Sequence, residues 1–189
     1  EQAQTAKLDR ICRKLELGPD DHVLEIGTGW GSFALHAAGH YGCRVTTTLS
    51  PAQHAEAARR VAAAGLGDRI TLLRADYREL TGTYDKLVSI EMIEAVGADH
   101  LPAFFRRCAE LLAPEGRLLI QVITTGERYY PDYRRSVDFI QRYVFPGSHC
   151  PSLGALVRAS GAASDLRLTH LEDITPHYAE TLRRWRRRF

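Results

Sequence analysis

Val23-Leu24-Glu25-Ile26-Gly27-Thr28-Gly29-Trp30-Gly31-Ser32-Phe33 is the stretch on which the fold turns. An apolar, branched run reads as a buried strand, three glycines follow at alternate positions, and Phe33-Ala34-Leu35-His36-Ala37-Ala38 opens a helix. Glycine accepts open dihedrals and lets a ligand approach the backbone, while a helix start presents unpaired N–H groups to polar ligand atoms. A cofactor is therefore expected over this turn.

Outward from that unit the chain alternates. Residues 4–16 carry a helical stripe of Ala6, Leu8, Ile11, Cys12 and Leu15, stopped by Gly18-Pro19-Asp20-Asp21. Residues 43–49 read as a second strand. Ser50-Pro51-Ala52-Gln53 starts the next helix, with Ser50 as N-cap, Pro51 in the first turn and Gln53 completing a capping box. Further strands are expected at 70–74, 84–90, 116–125 and 166–174, and helices at 101–112, at 153–159 and from His177, the last capped by Thr175-Pro176. Alternating strands and helices predict an α/β fold, a mostly parallel sheet flanked by helices. Residues 126–151 break the rhythm with Tyr129, Tyr130, Tyr133, Phe139, Tyr143 and Phe145. This segment reads as a helical, aromatic cover over a pocket; the alternative is an ordinary packed helix.

With 189 residues, 44% of them hydrophobic, the chain can bury a core and is expected to form one domain. No apolar run approaches the roughly 18 to 20 residues needed to cross a bilayer, and no signal peptide opens it, so a cytoplasmic location is expected. Cys12, Cys43, Cys108 and Cys150 lack paired spacing and read as free thiols. His36 and His40 have ligand spacing, but Ala37-Ala38-Gly39 places no acid between them and no metal is expected. Net charge is only +2, yet five arginines crowd Arg183-Arg184-Trp185-Arg186-Arg187-Arg188-Phe189. Such a run reads either as a solvated helix face or, with its interleaved aromatics, as an element docking transiently on anionic lipid. No nucleic-acid motif accompanies it.

The glycines fall as G-x-G-x-G, unlike the G-x-G-x-x-G of dinucleotide folds. The pattern resembles the first motif of class I S-adenosylmethionine-dependent methyltransferases, with Gly27, Gly29, Trp30 and Gly31 forming the cradle and Glu25 placed to hold the cofactor's ammonium. Where an acid normally meets the ribose, this chain offers Thr47, Thr48 and Gln53, and Asp76 and Tyr77 are placed for the adenine amine and ring.

Further segments extend the likeness: Thr48-Leu49-Ser50-Pro51-Ala52-Gln53, Asp76-Tyr77-Arg78, residues 88–97 (Val-Ser-Ile-Glu-Met-Ile-Glu-Ala-Val-Gly), Phe139 to Gly147, and His177 to Trp185. Together they closely resemble the cyclopropane-fatty-acid and mycolic acid cyclopropane synthases over almost the whole chain. The resemblance implies methyl transfer from S-adenosylmethionine to the cis double bond of a lipid acyl chain, at the inner membrane face. It also implies a bound bicarbonate as base. Carried over by position, its holders are Glu94, Tyr178 and an amide near Ile90 and Glu91. The family's histidine is replaced here by Gln121, which donates a hydrogen bond but cannot become cationic. The family's cysteine is expected before residue 1 and further elements after Phe189, so the chain reads as a methyltransferase domain truncated at both ends. Two rival readings stay open: a small-molecule methyltransferase with Glu94 as direct base, and a cofactor-binding module without catalysis.

Overall fold

In the computed structural model the described residues are 2–48 and 50–189, the Pro51 side chain excepted. Leu49, expected to close the second strand, lies outside them. The elements run α1 (Gln2–Leu15), β1 (His22–Ile26), α2 (Ser32–Tyr41), β2 (Arg44–Thr48), α3 (Pro51–Ala63), β3 (Ile70–Leu73), β4 (Tyr84–Ile90), α4 (Leu101–Leu111) and β5 (Leu112–Gln121). After these come the short α5 (Tyr130–Tyr133), α6 (Leu153–Ala163) and α7 (Thr175–Arg186).

The five strands form one sheet in the order β3-β2-β1-β4-β5, every neighbouring pair parallel. From β1 the chain builds outward to β3 on one side and then returns to add β4 and β5 on the other. The order therefore reverses between β1 and β4, and in open α/β sheets ligands bind in the crevice at the carboxyl ends of the strands flanking such a reversal.

Strand alternation divides the core in two. Val23, Val45 and Val88 face α1 and α2, packing with Leu8, Ile11, Leu15 and Phe33. Leu24, Ile26 and Leu87 face the opposite way, packing with Phe104, Phe105, Leu111 and Leu156 from α4 and α6. Both faces of β1 are buried, which is why its sequence reads as a continuous apolar run.

Three local expectations change. Residues 166–174 form no strand: a strand exists only through a hydrogen-bonded neighbour, and this backbone runs irregularly, leaving Leu168 61% and Leu171 62% exposed. It is tied instead to α1, where Arg10 and Lys14 both grip Glu172. Second, β5 starts at Leu112, its early residues pairing Tyr84↔Leu112 before a register shift, and it ends at Gln121. As the outer strand it tolerates Pro114, which cannot donate to a ladder. Third, Ser50 makes no side-chain cap bond to the α3 backbone. Its hydroxyl donates to Gln53 Oε1 at 3.1 Å, so the capping box closes through side chains alone.

Among the described residues no helix is long and apolar enough to cross a membrane. The four cysteines are free, with Cys12, Cys43 and Cys108 buried.

Candidate active site

The glycine turn behaves as its sequence requires. Gly27, Gly29 and Gly31 have φ of +90°, +54° and +81°, the region open to glycine at least cost. Gly27 is also sterically locked: a Cβ there would lie 2.7 Å from Met92 Cγ. Met92 follows β4, so this contact brings the turns after β1 and β4 together at the reversal of strand order. The turn is pinned from β2, where Gly27 N donates to Thr48 Oγ1 (3.2 Å) and Thr28 N to the Thr48 carbonyl (2.9 Å). On its outer side Arg60 donates to the Trp30 carbonyl at 2.5 Å, while the Trp30 ring stands 55% exposed.

Beneath the turn lies Glu25, 2% exposed, accepting a 2.8 Å hydrogen bond from the Thr47 hydroxyl. Thr47 in turn meets the Thr28 hydroxyl, which donates to the Thr48 carbonyl at 2.7 Å. Burial raises the Glu25 carboxyl to about 8, so at neutral pH it is largely protonated. The residue expected to grip an ammonium is thus turned inward and uncharged, supporting the threonines that set the loop. Thr48, expected at the ribose, likewise spends its hydroxyl on Gly27. Gln53 lies at the start of α3, half-buried, bonded to Ser50.

Asp76 ends the loop after β3, where it caps a short 3-10 turn and is held twice by its neighbour, Arg78 Nε at 2.8 Å and Nη2 at 2.7 Å. That guanidinium keeps its carboxyl below the usual range. Tyr77 turns edge-on to Phe104 at 5.5 Å within the second core. Asp76 therefore faces Arg78, and Tyr77 packs inward, where the sequence suggested an adenine partner and a ring surface.

The residues assigned to the reaction do converge. Ile90 ends β4 beside Gln121 at the end of β5. Glu91 follows with φ +51°, its N–H donating to the Gln121 carbonyl at 2.8 Å. Its side chain is the hub: Oε1 accepts from Gln121 Nε2 at 2.6 Å and from the Tyr178 hydroxyl at 3.1 Å, with Lys7 Nζ 4.0 Å away. Tyr178 reaches it from α7, and burial first, then the Glu91 charge, pushes its phenol up to about 12. Glu94 is held by the Ile123 N–H at 2.7 Å through Oε1, while Oε2 is buried without a partner. Burial, with a smaller contribution from Glu91, raises its carboxyl. Residues from 7, 91, 94, 121 and 178 thus meet at the carboxyl ends of β4 and β5.

Sequence reading missed two partners. It took Glu91 for its amide, whereas the carboxylate organises the cluster. It did not single out His149, which lies outside any helix or strand but is only 9% exposed, its ring 3.0 Å from the Tyr130 hydroxyl and its backbone N–H donating to the Glu94 carbonyl at 2.8 Å. His149 thereby joins the aromatic segment to the cluster. That segment is half anchor and half open surface: Tyr130 is buried, while Tyr129, Val137, Phe139, Tyr143 and Phe145 are exposed. Two open hollows, one at Trp185, Arg188 and Phe189 and one between α1 and α2, include neither Glu94 nor Tyr178.

A parallel sheet of this order, with a glycine cradle after β1 and polar groups at the ends of β4 and β5, is the class I methyltransferase fold. The chain belongs to the family described as mycolic acid cyclopropane synthetase, which it matches over residues 1–189. It is 42% identical over 187 residues to the tuberculostearic acid methyltransferase UfaA1 of Mycobacterium tuberculosis, covering 99% of this chain and 44% of that protein. It is 34% identical over 191 residues to the cyclopropane-fatty-acyl-phospholipid synthase of Escherichia coli K12, covering 100% and 47%. The solved structure of the mycolic acid cyclopropane synthase CmaA1, complexed with SAH and CTAB, superposes with a TM-score of 0.86 at 29% identity, covering 97% of this chain and 68% of that one. The chain spans about half the length of these curated relatives.

Proposed function

We propose that the protein transfers a methyl group from S-adenosylmethionine to the cis double bond of an unsaturated fatty-acyl chain carried on a phospholipid, giving a cyclopropane or a methylene or methyl branch. The observation that carries this reading is the carboxylate pair Glu91 and Glu94, set with Gln121 and Tyr178 beside the glycine turn and linked to the aromatic segment through the bond from His149 N to the Glu94 carbonyl. When bound, the cofactor supplies an electrophilic methyl group on a sulfonium.

The chain's own residues supply the rest. Gly27, Gly29, Trp30 and Gly31 shape the cradle, and Thr48 fixes it by accepting a hydrogen bond from the Gly27 N–H. An alkene is a weak nucleophile, so the rate depends on holding it in line with the methyl group and away from water. The apolar residues of 126–151, anchored through Tyr130 and His149, are suited to that exclusion. Attack leaves a carbocation, which must then lose a proton to a nearby base.

The donor set does not fit bicarbonate as that base. Gln121 and Tyr178, two of its expected holders, already donate to Glu91 Oε1. The unpartnered Glu94 Oε2 suits an anion's O–H, but the added charge would sit between two glutamates with Lys7 at 4.0 Å from one of them.

The arginine-rich end of α7 with Trp185 and Phe189 fits contact with an anionic membrane surface at the inner face. Glu94→Gln tests the assignment. Cofactor binding by calorimetry should be retained, while transfer of label to unsaturated phospholipid falls by about 100-fold or more. Undiminished transfer would contradict the placing of Glu94 beside the reacting acyl chain.

A further inference from the structure

We infer that the side chain of Glu91 is the proton acceptor of the reaction, a carboxylate built into the chain at the place where a bound anion would otherwise sit. The inference rests on the methyl-transfer reading above and names the group that completes it.

Three observations point the same way. Glu91 Oε1 receives hydrogen bonds from Gln121 Nε2 and from the Tyr178 hydroxyl, so one oxygen is fixed by two donors from distant parts of the chain. Both donors are neutral and orient the carboxylate, while the cation Lys7 Nζ stands 4.0 Å from the same oxygen, beyond hydrogen-bond distance. Second, Glu91 has φ +51°, a conformation in which glycine is least costly, and strain kept at such a position argues that its side chain is used. The backbone there is fixed by the bond from Glu91 N to the Gln121 carbonyl, so Gln121 holds both ends of the residue. Third, the side chain is 35% exposed, which gives an accepted proton a route to water.

The step balances without a further reagent. The alkene's electron pair forms the bond to the methyl carbon as the carbon–sulfur bond breaks toward sulfur. A C–H bond next to, or on, the new methyl group then breaks. Its electrons close a double bond or a ring, and the proton passes to the Glu91 carboxylate and afterwards to solvent. Gln121 suits this arrangement better than a histidine would. Gln121 keeps an N–H aimed at Glu91 at every pH, whereas the donor of an imidazole depends on its tautomer and charge. Gln121 and Tyr178 are positioning residues for Glu91.

The test is bicarbonate dependence, read in two ways. In titrations followed by the carbon-13 resonance of labelled bicarbonate, the wild-type chain should give no saturable broadening. Glu91→Gly, which relaxes the strained backbone and removes the carboxylate, should give it. Broadening with the wild type, or with neither protein, overturns the inference. In the second arm, full-length wild-type protein should transfer methyl groups at the same rate in carbon-dioxide-free buffer and with bicarbonate added. Glu91→Gly should lose about 100-fold in bicarbonate-free buffer and recover when bicarbonate is supplied. Glu91→Gln, which keeps the size of the side chain, should be as slow as Glu91→Gly without bicarbonate. A wild-type rate that collapses without bicarbonate, or a Glu91→Gly rate that does not change, overturns it. Absence of all transfer by wild-type protein would instead count against the proposed function, since the resonance arm still reports on the anion place.

Discussion

Glu25 shows how far burial outweighs charge at a single residue. The sequence marks it as an acid at the end of a strand, and an acid there suggests a partner for a cation. In the fold it is enclosed on the α1 and α2 face with one hydroxyl donor, Thr47, and its carboxyl rises to about 8 from an ordinary 4.5. The sign of the stability effect follows. Below about 4.5 both folded and unfolded chains hold the proton, and between 4.5 and 8 only the folded chain does. Stability contributed by the protonated form is therefore lost as pH rises through this window. Glu25→Gln keeps an acceptor for Thr47 and removes the titration. Urea unfolding from pH 5 to 8 should show wild type losing stability relative to the variant by a few kcal/mol over the range. Parallel stability curves would contradict the assignment. Glu91 is the opposite case: its role was hidden because its partners lie 30 and 87 positions away, and only the pairing of β4 with β5 and the return of α7 bring them to it.

At the scale of elements, the glycine turn was legible because its chemistry is local. Alternate glycines after an apolar run require positive φ, and all three have it. β4 was expected at 84–90 and runs over those residues, because its buried residues alternate between two packed faces. The stretch 166–174 has comparable strand chemistry but no ladder partner, a condition that no local pattern encodes. What local sequence cannot report is the close approach of two turns. Gly27→Ala should destabilise the fold by about 1–3 kcal/mol, part from φ +90° and part from the contact with Met92. Combining it with Met92→Ala should recover the steric part only, which a double-mutant cycle of thermal unfolding would measure. Full recovery would show that the dihedral carries no cost.

The same logic applies to the aromatic segment. Tyr130 and His149 anchor it to the Glu94 carbonyl. His149→Ala removes the ring contact while the backbone donor stays. Amide exchange of residues 126–151 should quicken in that variant while β1 and β4 stay protected. Equal exchange in both proteins would separate the segment from the site.

For the molecule as a whole, the two ends of the chain's surface carry different chemistry. The segment 126–151 exposes Phe139, Tyr143 and Phe145, and α7 exposes Trp185 with arginines in its last turn. Arg183 and Arg184 lean on Glu180, which leaves Arg186, Arg187 and Arg188 as the group to test against a charged surface. Each cation near an anionic membrane contributes about 1 kcal/mol, screened by salt. Cosedimentation with vesicles containing anionic lipid should weaken steeply with ionic strength and fall further when these three become glutamine. Equal binding to zwitterionic vesicles would remove the docking role.

The central claim is that a sulfonium methyl group over the β1 turn reaches an alkene beside Glu91 and Glu94. Full-length protein incubated with S-adenosylmethionine carrying a trideuterated methyl group and with a monounsaturated phospholipid, followed by mass spectrometry of the acyl chains, tests it most directly. The account expects the acyl chain to gain a CD2 unit where a ring or methylene closes on the new carbon with loss of one of its deuterons, or a CD3 group in place of a hydrogen where the proton leaves the neighbouring chain carbon. A preparation that binds the cofactor yet leaves the lipid unlabelled would contradict it.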